Sequence, residues 1–248
     1  MSQITIRGTS AKLPVLPEEA ELTRVSSLGS GGLLSGFEFG DASMRALDVR
    51  DIRLLDGKVH AVRAEAASIT GAHVQSVEFS RCELGSPRWS GGKISRTRFD
   101  SCRLLGARFE NVTLEHVVFT DCMLDYAAIA RIRASGPVMF IRCSLREAGF
   151  TGCDLTGCLF DECELTSASF GKGWYAGCDL RGGAGRGTGR NLRRRPGRLA
   201  DGPAARSGPA RTHCQRDQAR RSKRSSSMTF AHAATKSLTN FSFASSLP

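Results

Sequence analysis

The sequence predicts an all-β solenoid, a chain wound into coils of about twenty residues and stacked about seven deep. Three observations predict it. The first is a large apolar residue at nearly every fifth position, from Leu34 through Phe39, Met44 and Val49 to Ile129, twenty units without a slip. After one extra residue the series resumes at Phe140 and runs to Leu180, nine units more. Helices recruit apolar residues at a period near 3.6 and strands at 2, so a period of five fits neither; a chain that turns a corner every five residues produces it. The second is a small residue two positions before the centre wherever the rhythm is clearest: Cys82, Cys102, Ala107, Cys122, Ala127, Cys143, Ala148 and Cys153. The third is a period of twenty. Phe79, Phe99, Phe119, Phe140 and Phe160 form one column, Cys82, Cys102, Cys122, Cys143 and Cys163 a second, and Leu84, Leu104, Leu124, Leu145 and Leu165 a third, with the extra residue between their third and fourth members.

Taken in chain order, residues 1–33 read as an N-terminal cap or irregular segment. Ile4 and Ile6 alternate as in a short strand, and Pro14 and Pro17 flank the acidic Glu18-Glu19-Ala20-Glu21. Residues 34–181 are the solenoid, rising about 34 Å at about 4.8 Å per coil. Between Ile129 and Phe140 the stretch Ala130 to Pro137 adds one residue to two units, and Gly136-Pro137 is a turn signal. Residues 182–248 are low-complexity, first rich in Arg, Gly, Pro and Ala and then in Ser. Such a composition buries too little apolar surface to offset ordering, so a disordered basic tail is expected. Three origins stay open for it: a nucleic-acid-binding arm, a bland linker, or a shifted reading frame beginning near position 182.

Units such as Ala107-Arg108-Phe109, Cys153-Asp154-Leu155, Cys163-Glu164-Leu165 and Cys178-Asp179-Leu180 resemble the Ala/Cys-Asp/Asn-Leu/Phe-x-x units of the pentapeptide repeat proteins. The resemblance spans 34–180, closely from 77 onward and loosely before, where Leu47, Ile52 and Val62 replace the small residue. It implies a right-handed quadrilateral β-helix with four units to the coil. It also brings in the best-known role of that family, in which some members mimic duplex DNA and so bind DNA gyrase.

Eight of the nine cysteines occupy the small inward position, and only Cys214 lies outside the repeat. Free cysteine behaves as a small hydrophobe, and the five-residue spacing of Cys153, Cys158 and Cys163 is not that of zinc ligands. Neither a metal site nor a cofactor is expected. No signal peptide begins the chain and no membrane-length apolar run interrupts it, so reduced thiols in a cytoplasmic protein are expected.

The formal charge of +11 divides unevenly. Residues 34–180 hold 17 basic and 19 acidic side chains, and residues 181–248 hold 15 and 2. Within the repeat the charge is banded. Positions 81–108 are basic, 109–130 acidic, 131–146 basic and 147–180 acidic. Arg88, Lys93, Arg98, Arg103 and Arg108 stand one residue before successive centres and should ring a coil on the outside. With Arg131 and Arg133 beside the break, they are the candidate partner contacts.

The histidines are scattered singly, with His73 and His116 at outward positions, and Asp161, Glu162 and Glu164 lie on a solenoid exterior, so no catalytic group is expected. The reading that follows is a non-enzymatic cytoplasmic scaffold that binds an unknown protein partner. A DNA-mimicking modulator of gyrase, a type II topoisomerase, is the alternative and would need a homodimer with an acidic surface. Duplex DNA carries one charge per about 1.7 Å, far denser than this banded repeat. A second alternative is nucleic-acid binding through the tail.

Overall fold

The computed structural model describes residues 2–180. The tail expected to be disordered over 182–248, with Cys214, lies outside them.

The repeat winds into a parallel β-solenoid. Strand partners stand twenty residues apart along most of its length: Ile94 pairs with Val74 and Leu114, and Phe99 with Phe79 and Phe119. Past the break the offset is 21, with Phe119 opposite Phe140, and it returns to twenty with Phe140 opposite Phe160. The change is local. Leu114 still pairs with Ala134 at twenty and Val117 with Val138 at 21, which places the extra residue in Ser135-Gly136-Pro137.

Each coil has four faces. The first carries the centres Leu54, Val74, Ile94 and Leu114; the second Phe79, Phe99, Phe119, Phe140 and Phe160; the third Leu84, Leu104, Leu124, Leu145 and Leu165; the fourth Ile69, Trp89, Phe109, Ile129 and Phe150. All of these are buried. The corners explain the period. From Asp51 to Arg131 nearly every fifth residue has a positive φ, and the series resumes at Arg142. Asp, Asn, Ser and Gly adopt this left-handed geometry readily, but Arg81, Arg96, His116, Tyr126 and Glu162 adopt it too, at φ between 45° and 61°. The ladders on either side hold these corners in place.

On the second face the phenylalanine rings stack 4.7 to 4.9 Å apart from Phe79 to Phe160, within 9° of parallel. The fourth face sends rings edge-on against them, Phe109 to Phe119 at 6.3 Å and Phe150 to Phe160 at 5.9 Å. Val59 interrupts the column between Phe39 and Phe79, and an apolar void of about 20 Å³ opens there, bordered also by Leu28, Val62 and Trp89. Two of the interior positions that break the small-residue rule show how it is accommodated locally. Phe37 fits because the residue one coil on is Gly57, where a Cβ would strike its ring. Thr97 donates its hydroxyl to the Ser95 carbonyl at 2.9 Å.

The thiol column of the third face does more than fill space. Cys102, Cys122, Cys143 and Cys163 each donate an S–H to the carbonyl of Phe79, Phe99, Phe119 and Phe140 in the preceding coil, at 3.2 to 3.5 Å. All eight cysteines of the repeat are free. The Cys122 thiol and burial push Cys102 up to about 12, and burial pushes Cys178 up to about 12. Because the folded state keeps these protons, their contribution is complete below the ordinary thiol pKa near 8.5 and is lost as pH rises through 12. Unfolding free energy measured from pH 8 to 12 is therefore expected to fall, by about 1.4 kcal/mol per pH unit for each such thiol. A Cys102→Ala/Cys178→Ala variant should show a shallower slope, and identical slopes would refute the assignment.

The first 33 residues divide in two. Thr23–Arg24 adds a short parallel strand beside Phe37–Gly40, and Leu28 is buried against the interior of the first coil. Ahead of it, strands β1 (Gln3–Ile6) and β2 (Thr9–Lys12) form an antiparallel hairpin. This hairpin lies on the outer wall of the second face, over coils near the other end. Val118, Met139, Ile141 and Leu159, which face outward, are buried there with Ala11 and packed by Ile4, Ile6 and Leu13. The Arg7 guanidinium holds Asp161 at 2.6 Å, and the Lys12 N–H donates to His116 Nδ1 at 3.4 Å.

Candidate functional site

The seven basic residues marked out by the sequence meet different fates. Lys93 pairs with Glu115 at 2.5 Å and Arg98 with Asp100 at 2.6 Å. Arg131 sits on a corner, bound to Glu110 and, at 2.7 Å, to the Asn111 side-chain carbonyl. Arg88, Arg103, Arg108 and Arg133 are exposed and have no ion pair among the described residues. Of these, only Arg88 and Arg108 are brought side by side, as direct register partners on the fourth face. Arg103 stands on the third face and Arg133 on the first.

The charge bands acquire a geometric meaning. A basic band one coil above an acidic band puts opposite charges on neighbouring rungs. Arg131 meets Glu110, Arg142 meets Asp121 at 2.6 Å, and Arg146 meets Asp125 at 2.9 Å. The Arg142 guanidinium holds the Asp121 carboxyl below the usual carboxylate range. Asp125 is almost fully buried, and burial alone would raise its pKa, yet it is lowered because the Ser144 hydroxyl and the Arg146 guanidinium and backbone N–H donate to it. Asp161, read from sequence as a solvated acid, is engaged by Arg7 of the hairpin. His116 is likewise a structural acceptor on a corner.

The fourth face differs. Its outward column runs Ser68, Arg88, Arg108, Ala128, Gly149 and Ser169. Small residues leave much of this wall flat, and two guanidiniums stand out from it without an ion pair among the described residues, the acid beside them, Glu110, being bound by Arg131. Sequence reasoning found the two arginines but not their isolation, which depends on which side chain reaches across each rung.

Among the described residues no cluster of three or more His, Cys, Asp or Glu side chains is placed to hold a metal ion, and no helix is long and apolar enough to cross a membrane. Residues 92–170 match the family model described as the pentapeptide repeat region. Residues 92–170 of the solenoid are a pentapeptide repeat region. No catalytic family is indicated for it. Solved structures similar to the chain include two trypsin-treated variants of QnrB1, a plasmid-mediated fluoroquinolone resistance protein. One is 15% identical over 63% of this chain and 91% of that chain, with a TM-score of 0.30; the other is 17% identical over 65% and 86%, with a TM-score of 0.31. Another is HetL, a pentapeptide repeat protein involved in heterocyst differentiation regulation in the cyanobacterium Nostoc, 13% identical over 62% and 89%, with a TM-score of 0.22. No curated protein matches the chain. The pentapeptide repeat region thus offers four walls, of which the fourth alone sets two unpaired cations side by side among the described residues.

Proposed function

We propose that this pentapeptide repeat protein is a non-enzymatic cytoplasmic scaffold that binds another protein through its fourth face, with Arg88 and Arg108 as the central contacts. The observation that carries the reading is their pairing. Like charges directly opposite on neighbouring strands destabilise a sheet, whereas Arg131, Arg142 and Arg146 each meet an acid on the next rung. Arg88 and Arg108 meet none, so an acidic surface on a partner is what would relieve them. The small residues above and below leave room for that surface to lie flat. The cytoplasmic setting is supported by a thiol column that works in its reduced form.

Affinity capture with the full chain, compared with Arg88→Glu/Arg108→Glu, tests the reading. The reversal is expected to reduce recovery of a specific partner at least tenfold, with stability changed by no more than about 0.5 kcal/mol, as for exposed substitutions generally. Undiminished recovery would overturn it. Inhibition or protection of gyrase in a supercoiling assay, unaffected by the reversal, would instead favour the DNA-mimicking alternative. That alternative has less support, because its exposed acids are largely paired with arginines along the ladders.

A further inference from the structure

Where the third face turns into the fourth, the stacking of coils changes. The ladder between Ser43–Arg50 and Arg63–Thr70 takes in the corner, with Ala46 opposite Ala66 and Leu47 opposite Ala67. The next coil pairs at Glu83 and Leu84, then only again from Arg88 onward. The gap falls at Gly85-Ser86-Pro87, where the corner switches from alanines without a left-handed φ to Ser86 at φ 40° and Pro87 has no N–H to give. This step in the wall opens a surface cleft of about 660 Å³.

Three features of the cleft specify a ligand. Arg45 and Arg103 stand at its two ends, exposed and without an ion pair among the described residues. Met44 and Leu105 supply an apolar floor, and Leu105 is one of the few large apolar side chains left exposed, at 37%. Between the arginines lie Glu83, paired with Arg63 of the same cleft at 3.7 Å, and Glu65, which has no ion pair among the described residues and would repel a continuous polyanion. Three coils separate Arg45 from Arg103, about 14 Å at the spacing of strands, which an extended chain covers in about four residues.

Resting on the scaffold reading, we propose that this cleft binds an extended acidic peptide segment of a partner protein. Two carboxylates four residues apart would meet Arg45 and Arg103, and an apolar residue between them would rest over Ala64 and Leu84, the rungs that separate Met44 from Leu105. Nucleic acid suits the cleft less well, because its phosphates would bring a negative charge beside Glu65.

The test uses two capped, fluorescent nonapeptides of identical composition in a Ser/Gly background, each with one Leu and two Glu. In one the carboxylates flank the Leu four positions apart; in the other they are adjacent. Fluorescence anisotropy with the full chain is expected to favour the spaced peptide about fivefold, the combined scale of two exposed ion pairs. Arg45→Ala/Arg103→Ala, with circular dichroism confirming an unchanged fold, should abolish the preference. Equal binding of the two peptides, as attraction to the basic tail alone would give, overturns the proposal, and so does a preference that survives the double variant. Stronger, variant-sensitive binding of an oligothymidylate than of the spaced peptide would overturn it in favour of nucleic acid. A partner whose capture depends on Arg88 and Arg108 but not on Arg45 and Arg103 would leave the scaffold reading standing while this one fails.

Discussion

Replacing Phe119 with alanine is expected to lower the stability of the repeat by about 3 to 5 kcal/mol, the range for a buried phenylalanine lost from a close-packed core. Its ring is buried and stacks on Phe99 at 4.7 Å and Phe140 at 4.9 Å while meeting the edge of Phe109 at 6.3 Å. Truncation removes all three contacts and leaves a hole that parallel strands on both sides cannot close without breaking their register. In a solenoid each coil contacts only its neighbours, so the cost should depend on position. Phe170, the last ring of the fourth-face column, stacks on Phe150 on one side only and meets Phe160 and Tyr175 edge-on, but it is only partly buried; its alanine variant should cost less. Urea unfolding of both variants checks this. Equal losses would mean the rings do not act as a stacked column.

The fold was legible because two of its constraints act on side chains. The interior admits one large and one small residue per unit, and stacking repeats that choice every twenty positions, so Phe79 to Phe160 and Cys82 to Cys163 could be read as columns directly. The third constraint acts on the backbone and left a blurred trace. A left-handed residue recurs nearly every five positions, but Asp51, Arg81 and Tyr126 share the geometry and no chemistry. The candidate contacts were legible as residue types, not as states. Whether a cation is spent depends on the acid one rung away, and Arg131 was committed to Glu110 and Asn111 while Arg88 was left facing Arg108. The cleft had no sequence signal of its own, since it arises where one corner type gives way to another at Gly85-Ser86-Pro87. The hairpin was half visible: the alternation of Ile4 and Ile6 suggested a strand, and the outward Val118, Met139, Ile141 and Leu159 were unexplained apolar exceptions in an otherwise polar column. Their contact spans more than a hundred residues of sequence.

That contact supports the second large effect. Removing residues 2–13 is expected to uncover Val118, Met139, Ile141 and Leu159 on one flat β wall, and an exposed apolar patch of this kind drives association. The burial these side chains lose is set against the conformational ordering of the hairpin that truncation removes, so the larger change is expected in solution behaviour: light scattering should show a mass that rises with concentration for the truncated chain and not for the full one. Adding Met139→Lys and Leu159→Lys to the truncation should restore the full chain's behaviour, and association that persists would place the sticky surface elsewhere. Acid should loosen the same contact. Burial and the nearby Lys12 lower the pKa of His116, whose neutral ring accepts the Lys12 N–H. A depressed histidine pKa gives stability that is complete above about 6.5 and is lost as pH falls through the folded value. The protection factor of the Lys12 amide against hydrogen exchange, corrected for the intrinsic pH dependence, should fall below pH 6 more steeply in the wild type than in His116→Gln, whose side-chain carbonyl accepts at any pH.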